Sequence, residues 1–325
     1  MATTIGFIGA GGVTAWQHFP NIEHMDDAEV VGICDIDEST RLNAAERFDA
    51  AAYTDPEALC ESHDLDAVLV AVPPFAHGPP EHTVIDHDIN LFVEKPLGLD
   101  IDTARAIGDA ADNAGLVTQV GYMNRYADVI EQAKDLIEDR TVSFVSGHWI
   151  GGVPSTGWWS VAEQSGGQVV EQSTHIFDLV RYFAGEVERV TAYGGQEVNT
   201  DELDFPDTTT ASMYHTNGAV SQVLSSSVAS EESVGLELAG DDFLLDVDLT
   251  ERRLRGTVDG EDVSYDGKSL DEAFRSEVSD FFEAVSLDDA NRPRSPYADA
   301  ERTFGLTLAV NESIATDAPV SLGER

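Results

Sequence analysis

The sequence predicts an α/β chain of two domains, a doubly wound parallel sheet followed by an α+β domain with an open, mainly antiparallel sheet. Three observations carry this. A short apolar strand, residues 4–8, runs directly into a glycine-rich loop, Gly9-Ala10-Gly11-Gly12-Val13. Strands then alternate with helical segments, and the run 67–72 is apolar throughout, as in a parallel strand covered on both faces. Beyond Gly121 the alternation gives way to strands joined by hairpin signals, above all Asn217-Gly218, which suits a type I′ turn.

The elements follow in order. Strand 29–34 ends at Asp35, and helix 41–48 places Leu42, Ala45 and Phe48 on one side. A short helix, 55–60, precedes strand 67–72, which stops at Pro73-Pro74 with His77 just after. Residues 81–87 read as the next crossover helix, and 91–93 as the strand that delivers Glu94, Lys95 and Pro96. Ile101, Ala104, Ile107, Ala111 and Ala114 mark an amphipathic helix, and a last strand closes a domain of residues 1–121. The second domain, 122–325, opens with helix 126–137 and strand 141–150. A glycine and tryptophan loop, 151–167, leads to hairpin-connected strands over 187–263 and two helices, 270–285 and 298–314, which have the option of packing back on the first domain.

Composition limits the function classes. The chain has 325 residues, 42% of them hydrophobic, enough for two cores. No apolar run approaches the roughly 18 residues that span a bilayer, and Met1-Ala2-Thr3-Thr4 enters a strand without a basic leader, so a cytoplasmic protein is expected. Cys34 and Cys60 give neither a disulfide framework nor a metal-binding spacing. The formal net charge of −43 is spread along the whole chain, which argues against nucleic acid and anionic lipid as partners. Dispersed acids with only three lysines, Lys95, Lys134 and Lys268, point to a surface adapted to concentrated salt and hence to a halophilic source.

Against that scarcity, Lys95 at the end of a buried strand stands out. Alone it reads as a solvated lysine at a strand end, followed by a helix-starting proline. The glycine loop raises its interest, because Gly9 and Gly11 permit a tight turn and close approach to a pyrophosphate, although Thr14 stands where a third glycine is usual. Asp35 at the end of the second strand can accept hydrogen bonds from ribose hydroxyls and repels a 2′-phosphate, favouring NAD over NADP, with Arg41 nearby as the group that would serve a phosphate. In the second domain Glu171 and His175, four apart on an expected helix, would share a face so that the carboxylate orients the imidazole. The same segment also reads as a helix with a capped histidine against the core. No further ligands accompany it, and His77, His82 and His87 do not share a helix face, so no metal site is expected.

Taken together in this order, these motifs resemble the family of glucose-fructose oxidoreductase, inositol dehydrogenase and their relatives. The resemblance covers the glycine loop with His18 and Pro20 after it, Pro73-Pro74 with His77, Glu94-Lys95-Pro96, Asn124-Arg125-Tyr126, the Gly166-Gly167 to Asp178 segment and the Asn217-Gly218 hairpin. It implies a Rossmann domain and an open-faced α/β domain whose sheet joins subunits as a homodimer or homotetramer. It further implies a cofactor held by Gly9, Gly11, Gly12, Val13, Asp35, Ile36 and Arg41, then by Val72, Pro73, Pro74, His77, Glu94 and Lys95, with a cis peptide before Pro96. Lys95 and His175 become the groups that act on a sugar or polyol hydroxyl, and Glu171 stands where the family more often has aspartate. Arg125, Tyr126, Trp158 and Trp159 are further candidates to line the sugar, Trp159 being equally at home in a core.

The chemistry fits these residue types. Oxidising a secondary alcohol needs a base for its proton, and an imidazole, with an ordinary pKa of about 6.5, can serve near neutrality. A lysine beside the same oxygen would stabilise negative charge developing on it; either group can be cast as the proton acceptor. The competing functions are a redox-silent cofactor-binding regulator and an NAD-dependent glycosidase-type hydrolase.

The charge has a measurable consequence. Self-repulsion of a −43 surface is screened over a Debye length of about 3 Å in molar salt and about 30 Å at 0.01 M. Thermal unfolding should therefore move to markedly higher temperature between dilute buffer and molar KCl, and equal midpoints in both would refute a salt-adapted surface.

Overall fold

The computed structural model describes residues 2–323, and the chain divides into two compact units. The first comprises Met1–Met123 and Leu270–Glu301. Its sheet contains β1 Thr3–Ile8, β2 Ala28–Cys34, β3 Ala51–Tyr53, β4 Ala67–Val70, β5 Asn90–Val93 and β6 Thr118–Val120, all parallel, in the order β3-β2-β1-β4-β5-β6. Every residue of β4 is buried, which explains its unbroken apolar run. Between β1 and β4 the order reverses, and in open α/β sheets a ligand lies beyond the strand carboxyl ends at that point.

The helix Leu270–Leu287 groups with the first unit, the option of packing back that the sequence leaves open. Its Val278, Phe281 and Phe282 enter the core that contains Phe7, Phe19 and Phe92, and Phe281 meets Phe92 edge-on at 5.6 Å. Burying each such ring contributes roughly 1.5–3 kcal/mol, and polar ties follow: Gln119 donates to the Glu277 carbonyl at 3.0 Å and Ser295 to the Val120 carbonyl at 2.7 Å. The helix Tyr297–Thr316 begins in this unit and ends in the other.

The second unit, Asn124–Ser269 with Arg302–Arg325, is built on a nine-stranded sheet. Its strands are β7 Val142–Ile150, β8 Val187–Gly195, β9 Thr208–His215, β10 Val220–Ser226, β11 Ser233–Gly240, β12 Phe243–Asp248, β13 Arg253–Val258, β14 Glu261–Asp266 and β15 Val320–Ser321. They lie in the order β14-β13-β12-β11-β7-β10-β9-β8-β15, antiparallel throughout except for the parallel pair β7 and β10. Alternation is strict in β9, where Thr209, Ala211, Met213 and His215 are buried and Thr210, Ser212 and Tyr214 exposed. The buried face shares a core with Val129, Ile130 and Ala133 of the helix Asp128–Leu136 and with Ile176, Leu179 and Val180 of the helix Thr174–Ala184.

The hairpin between β9 and β10 is not type I′. That turn needs a left-handed backbone at both central residues, and only Gly218, at φ +91°, has one. Instead the His215 carbonyl accepts from Gly218 N–H and His215 N–H donates to the Ala219 carbonyl, both at 2.9 Å, giving a longer turn closed by a glycine bulge. Asn217 is held by its side chain, which donates to the Ala184 carbonyl at 2.9 Å and accepts from Ala219 N–H at 3.0 Å.

Candidate active site

In the first unit the candidate residues gather at the carboxyl ends of β1, β2, β4 and β5. Gly9 turns at φ +93°, and a Cβ there would stand 2.1 Å from the Ala71 carbonyl oxygen, so only glycine lets the loop cross β4 at this height. Beyond it, Cβ positions at Gly11 and Gly12 would meet nothing within 4 Å, leaving open backbone of the kind a phosphate approaches. Thr14 is buried and donates its hydroxyl to the Gly9 carbonyl at 3.1 Å, so this residue, in place of a third glycine, pins the turn Thr14–His18 to the loop.

Asp35 is fixed on both oxygens, by Ala10 N–H and by Asp37 N–H, each at 2.8 Å. The carboxylate retains lone pairs for further donors. Arg41 reaches back to the Asp35 carbonyl at 2.7 Å, and Ile36 is 93% exposed beside them. An open glycine backbone with a braced carboxylate at the neighbouring strand end fits a dinucleotide, with pyrophosphate over the loop and ribose at Asp35. Val72 and Pro73 are half-buried, and Pro74 opens the turn Pro74–Ala76.

His77 is more enclosed than a surface ligand would be. Its Nδ1 lies 2.5 Å from Glu81 Oε1, and the other Glu81 oxygen accepts from Gly78 N–H at 2.7 Å. Burial pushes the Glu81 carboxyl up, but the His77 charge, its hydrogen bond and the Gly78 N–H outweigh that and hold it below the usual carboxylate range. Burial also pushes the two thiols up, Cys34 to about 12 and Cys60 to about 11, which removes both as nucleophiles near neutral pH.

Lys95 leaves the end of β5 half-buried, and its peptide to Pro96 is cis. Glu94, just before it, is buried against His18.

In the second unit the expectation of one helix carrying Glu171 and His175 on a shared face is corrected. Helix Gly167–Glu171 ends at Gln172, and a new helix, Thr174–Ala184, begins after Ser173, so the two residues belong to consecutive helices. Ser173 N–H turns back to the Gln168 carbonyl at 2.9 Å, which closes the first helix. Glu171 accepts a 2.7 Å bond from the Trp159 indole N–H. Trp159 itself is 1% exposed among Leu203 and Phe205, a core position, while Trp158 is half-buried beside it.

His175 is buried and stacks on Trp149, ring centroids 5.8 Å apart at 21°. Sequence reading passed over Trp149. The signal was the period-two row Val145, Gly147, Trp149 on β7, whose middle residue lacks a side chain where Ile176 packs: a Cβ at Gly147 would stand 2.3 Å from the Ile176 methyl. Asp178, which the sequence marks only as the end of the matching segment, has a definite partner. It receives both arms of Arg125, at 2.7 and 2.6 Å, and Thr303 donates to it at 3.0 Å. With exposures of 4% for Arg125 and 1% for Asp178, this pair reads first as a brace between the turn Met123–Tyr126 and the helix Thr174–Ala184, and Tyr126 is buried with it. Breaking such a pair leaves an uncompensated buried charge, which costs about 3–5 kcal/mol.

With this geometry in place, comparison with known proteins is decisive at the family level. Residues 3–122 match the oxidoreductase family with an NAD-binding Rossmann fold, and residues 130–245 match the GFO/IDH/MocA C-terminal domain. The chain belongs to this family. Its first domain is an NAD-binding Rossmann domain. Among relatives, a 2,7-anhydro-N-acetylneuraminate hydratase of Mediterraneibacter gnavus is 26% identical over 56% of this chain and 50% of its own length. A myo-inositol 2-dehydrogenase of Thermotoga maritima is 28% identical over 64% of this chain and 63% of its own. This chain therefore spans between half and two thirds of the length of these GFO/IDH/MocA relatives. The solved structure of levoglucosan dehydrogenase in complex with NADH and levoglucosan superposes with a TM-score of 0.90 over 100% of both chains at 18% identity, a likeness of fold.

Proposed function

We propose that this GFO/IDH/MocA oxidoreductase oxidises a secondary hydroxyl of a sugar, cyclitol or related polyol, using NAD. The observation that carries the reading is a braced Asp35 beside an open glycine loop in the same sheet that presents Lys95. Support for the substrate class comes from the inositol-dehydrogenase relative and from levoglucosan in the structural neighbour. A bound nicotinamide would supply the hydride acceptor. His175, its ring plane held by Trp149, takes the hydroxyl proton, and Lys95 stabilises negative charge on that oxygen. Glu171 accepts from the core indole of Trp159 and so steadies the end of the helix Gly167–Glu171 that precedes His175. A second reading rests on the hydratase relative: net addition or loss of water, with no net reduction of nicotinamide.

Three related readings complete the proposal. Asp35 makes NAD preferred over NADP. The protein acts in the cytoplasm of a salt-rich cell, in keeping with its charge and with the absence, among the described residues, of a helix long and apolar enough to cross a membrane. A second copy covers the open face of the nine-stranded sheet, where Tyr214, Val220, Phe144, Ala239 and Leu244 form one cross-strand row and Tyr214, Val220 and Leu244 are exposed.

Lys95→Ala should lower kcat about 10²–10³-fold with NAD affinity kept, read at the reduced-nicotinamide absorbance across a panel of pentoses, hexoses and inositols. Undiminished turnover would remove Lys95 from the chemistry, and product without absorbance change would favour the hydratase reading. Asp35→Ser should improve kcat/KM with NADP relative to NAD, and an unchanged ratio would refute the role given to Asp35. Val220→Asp should shift the sedimentation coefficient toward that of a monomer; a wild-type monomer would dispose of the interface.

A further inference from the structure

We propose that His18 is the positioning residue for Lys95, acting through the Glu94 carboxylate. The inference rests on the reading of Lys95 as the group that meets the substrate oxygen, and it identifies what holds that lysine's turn in place.

His18 lies at the end of the turn that follows the glycine loop, 1% exposed. Its Nε2 is 2.7 Å from Glu94 Oε1. An ionised carboxylate can only accept, so Nε2 carries the hydrogen and donates. The ring's other nitrogen, Nδ1, is buried with no hydrogen-bond partner among the described residues, where Glu94 is its polar anchor. Two aromatic rings close around it edge-on, Phe92 at 5.5 Å and Phe274 at 6.2 Å, leaving the imidazole little freedom to rotate away.

The carboxylate is equally confined. Its second oxygen, Oε2, accepts from the Lys95 backbone N–H at 3.2 Å. Its flat side lies against Gly121, where an added Cβ would stand 2.6 Å from Oε2, 2.8 Å from Cδ and 2.9 Å from Oε1. Glu94 is thus held between an imidazole, a peptide N–H and a bare backbone, and the peptide N–H is that of Lys95. A buried pair that served packing alone would have no need to end on this residue. The chain of bonds also begins at the glycine loop, since Thr14, four residues before His18, is tied to the Gly9 carbonyl. The loop assigned to the dinucleotide and the turn that carries Lys95 are therefore linked through one histidine 76 residues away in sequence from its partner.

The scarcity of lysine supplies the test. With only Lys95, Lys134 and Lys268, reductive 13C-methylation of the full chain gives three dimethyl-lysine NMR signals, assigned by Lys95→Arg. Lys134 and Lys268 serve as internal references. In His18→Phe, which keeps an aromatic ring but no donor, the Lys95 signal should move or broaden and its methylation rate relative to the references should change several-fold. His18→Gln, whose amide can donate to Glu94, should restore both toward wild type, and NAD affinity should be retained in each. Glu94→Gln, close to isosteric, should also displace the Lys95 signal, and it carries the comparison if His18→Phe does not fold. An unmoved Lys95 signal in the folded variants overturns the proposal. Loss of NAD affinity in step with the signal, with no restoration by His18→Gln, also overturns it, because His18 would then be a packing residue. Should Lys95→Ala retain turnover while these signals behave as expected, the role of Lys95 fails and its positioning by His18 stands.

Discussion

The first unit depends on a close approach that only a residue without a side chain permits. Gly9 must pass over the Ala71 carbonyl, and a Cβ at 2.1 Å would force β1 and β4 apart at their carboxyl ends. Because β1 and β4 adjoin where the strand order reverses, this contact sets the level of the crevice on which everything else stands. Asp35 reaches the loop only because the loop is low enough for Ala10 N–H to meet its carboxylate. Thr14 can close the loop with a hydroxyl where a third glycine is usual because its side chain turns inward to the Gly9 carbonyl. The departure from the commoner glycine pattern is therefore accommodated by a bond that glycine could not make.

The second unit uses the same device for a different end. Gly147 in β7 lets Ile176 settle against the strand, and that approach brings His175, one residue earlier on the helix, over the Trp149 indole. A side chain at Gly147 would lift the helix and separate the rings. The helix is fixed along its length by the Arg125 fork on Asp178 and at its end by Asn217, whose side chain donates to the Ala184 carbonyl. Three contacts of different kinds thus determine where one imidazole lies.

Much of this was legible in the sequence because its signals are local. Residues 67–72 read as a buried strand from composition alone, and the glycine loop, Asp35 and the strand before Lys95 follow from spacing. The misreadings arose where tertiary contacts override local rules. Glu171 and His175 sit at helical spacing, yet the helix breaks between them. Asn217-Gly218 has the composition of a type I′ turn, yet the Asn217 side chain is engaged by the end of a helix 33 residues earlier. Residues 270–287 carry an ordinary amphipathic pattern that says nothing about which of two cores takes its phenylalanines. The contacts of Trp149 and Asp178 were hidden for the same reason, since their partners are distant along the chain.

The acidic composition sharpens the meaning of the buried polar pairs. On a surface of formal charge −43, one more carboxylate is electrostatically unremarkable and individual exposed ion pairs contribute little. Beneath that surface three buried acids have specific side-chain partners: Glu81 has His77, Glu94 has His18, and Asp178 has Arg125. Two of these partners are histidines, which are titratable, whereas Arg125 brings a permanent charge to Asp178. Salt that screens the exterior does not reach these pairs, whose strength depends on burial and geometry. These buried pairs are in this way separated from the acids of the surface, and Lys95, whose backbone N–H meets Glu94, adjoins one of them in a chain with only three lysines.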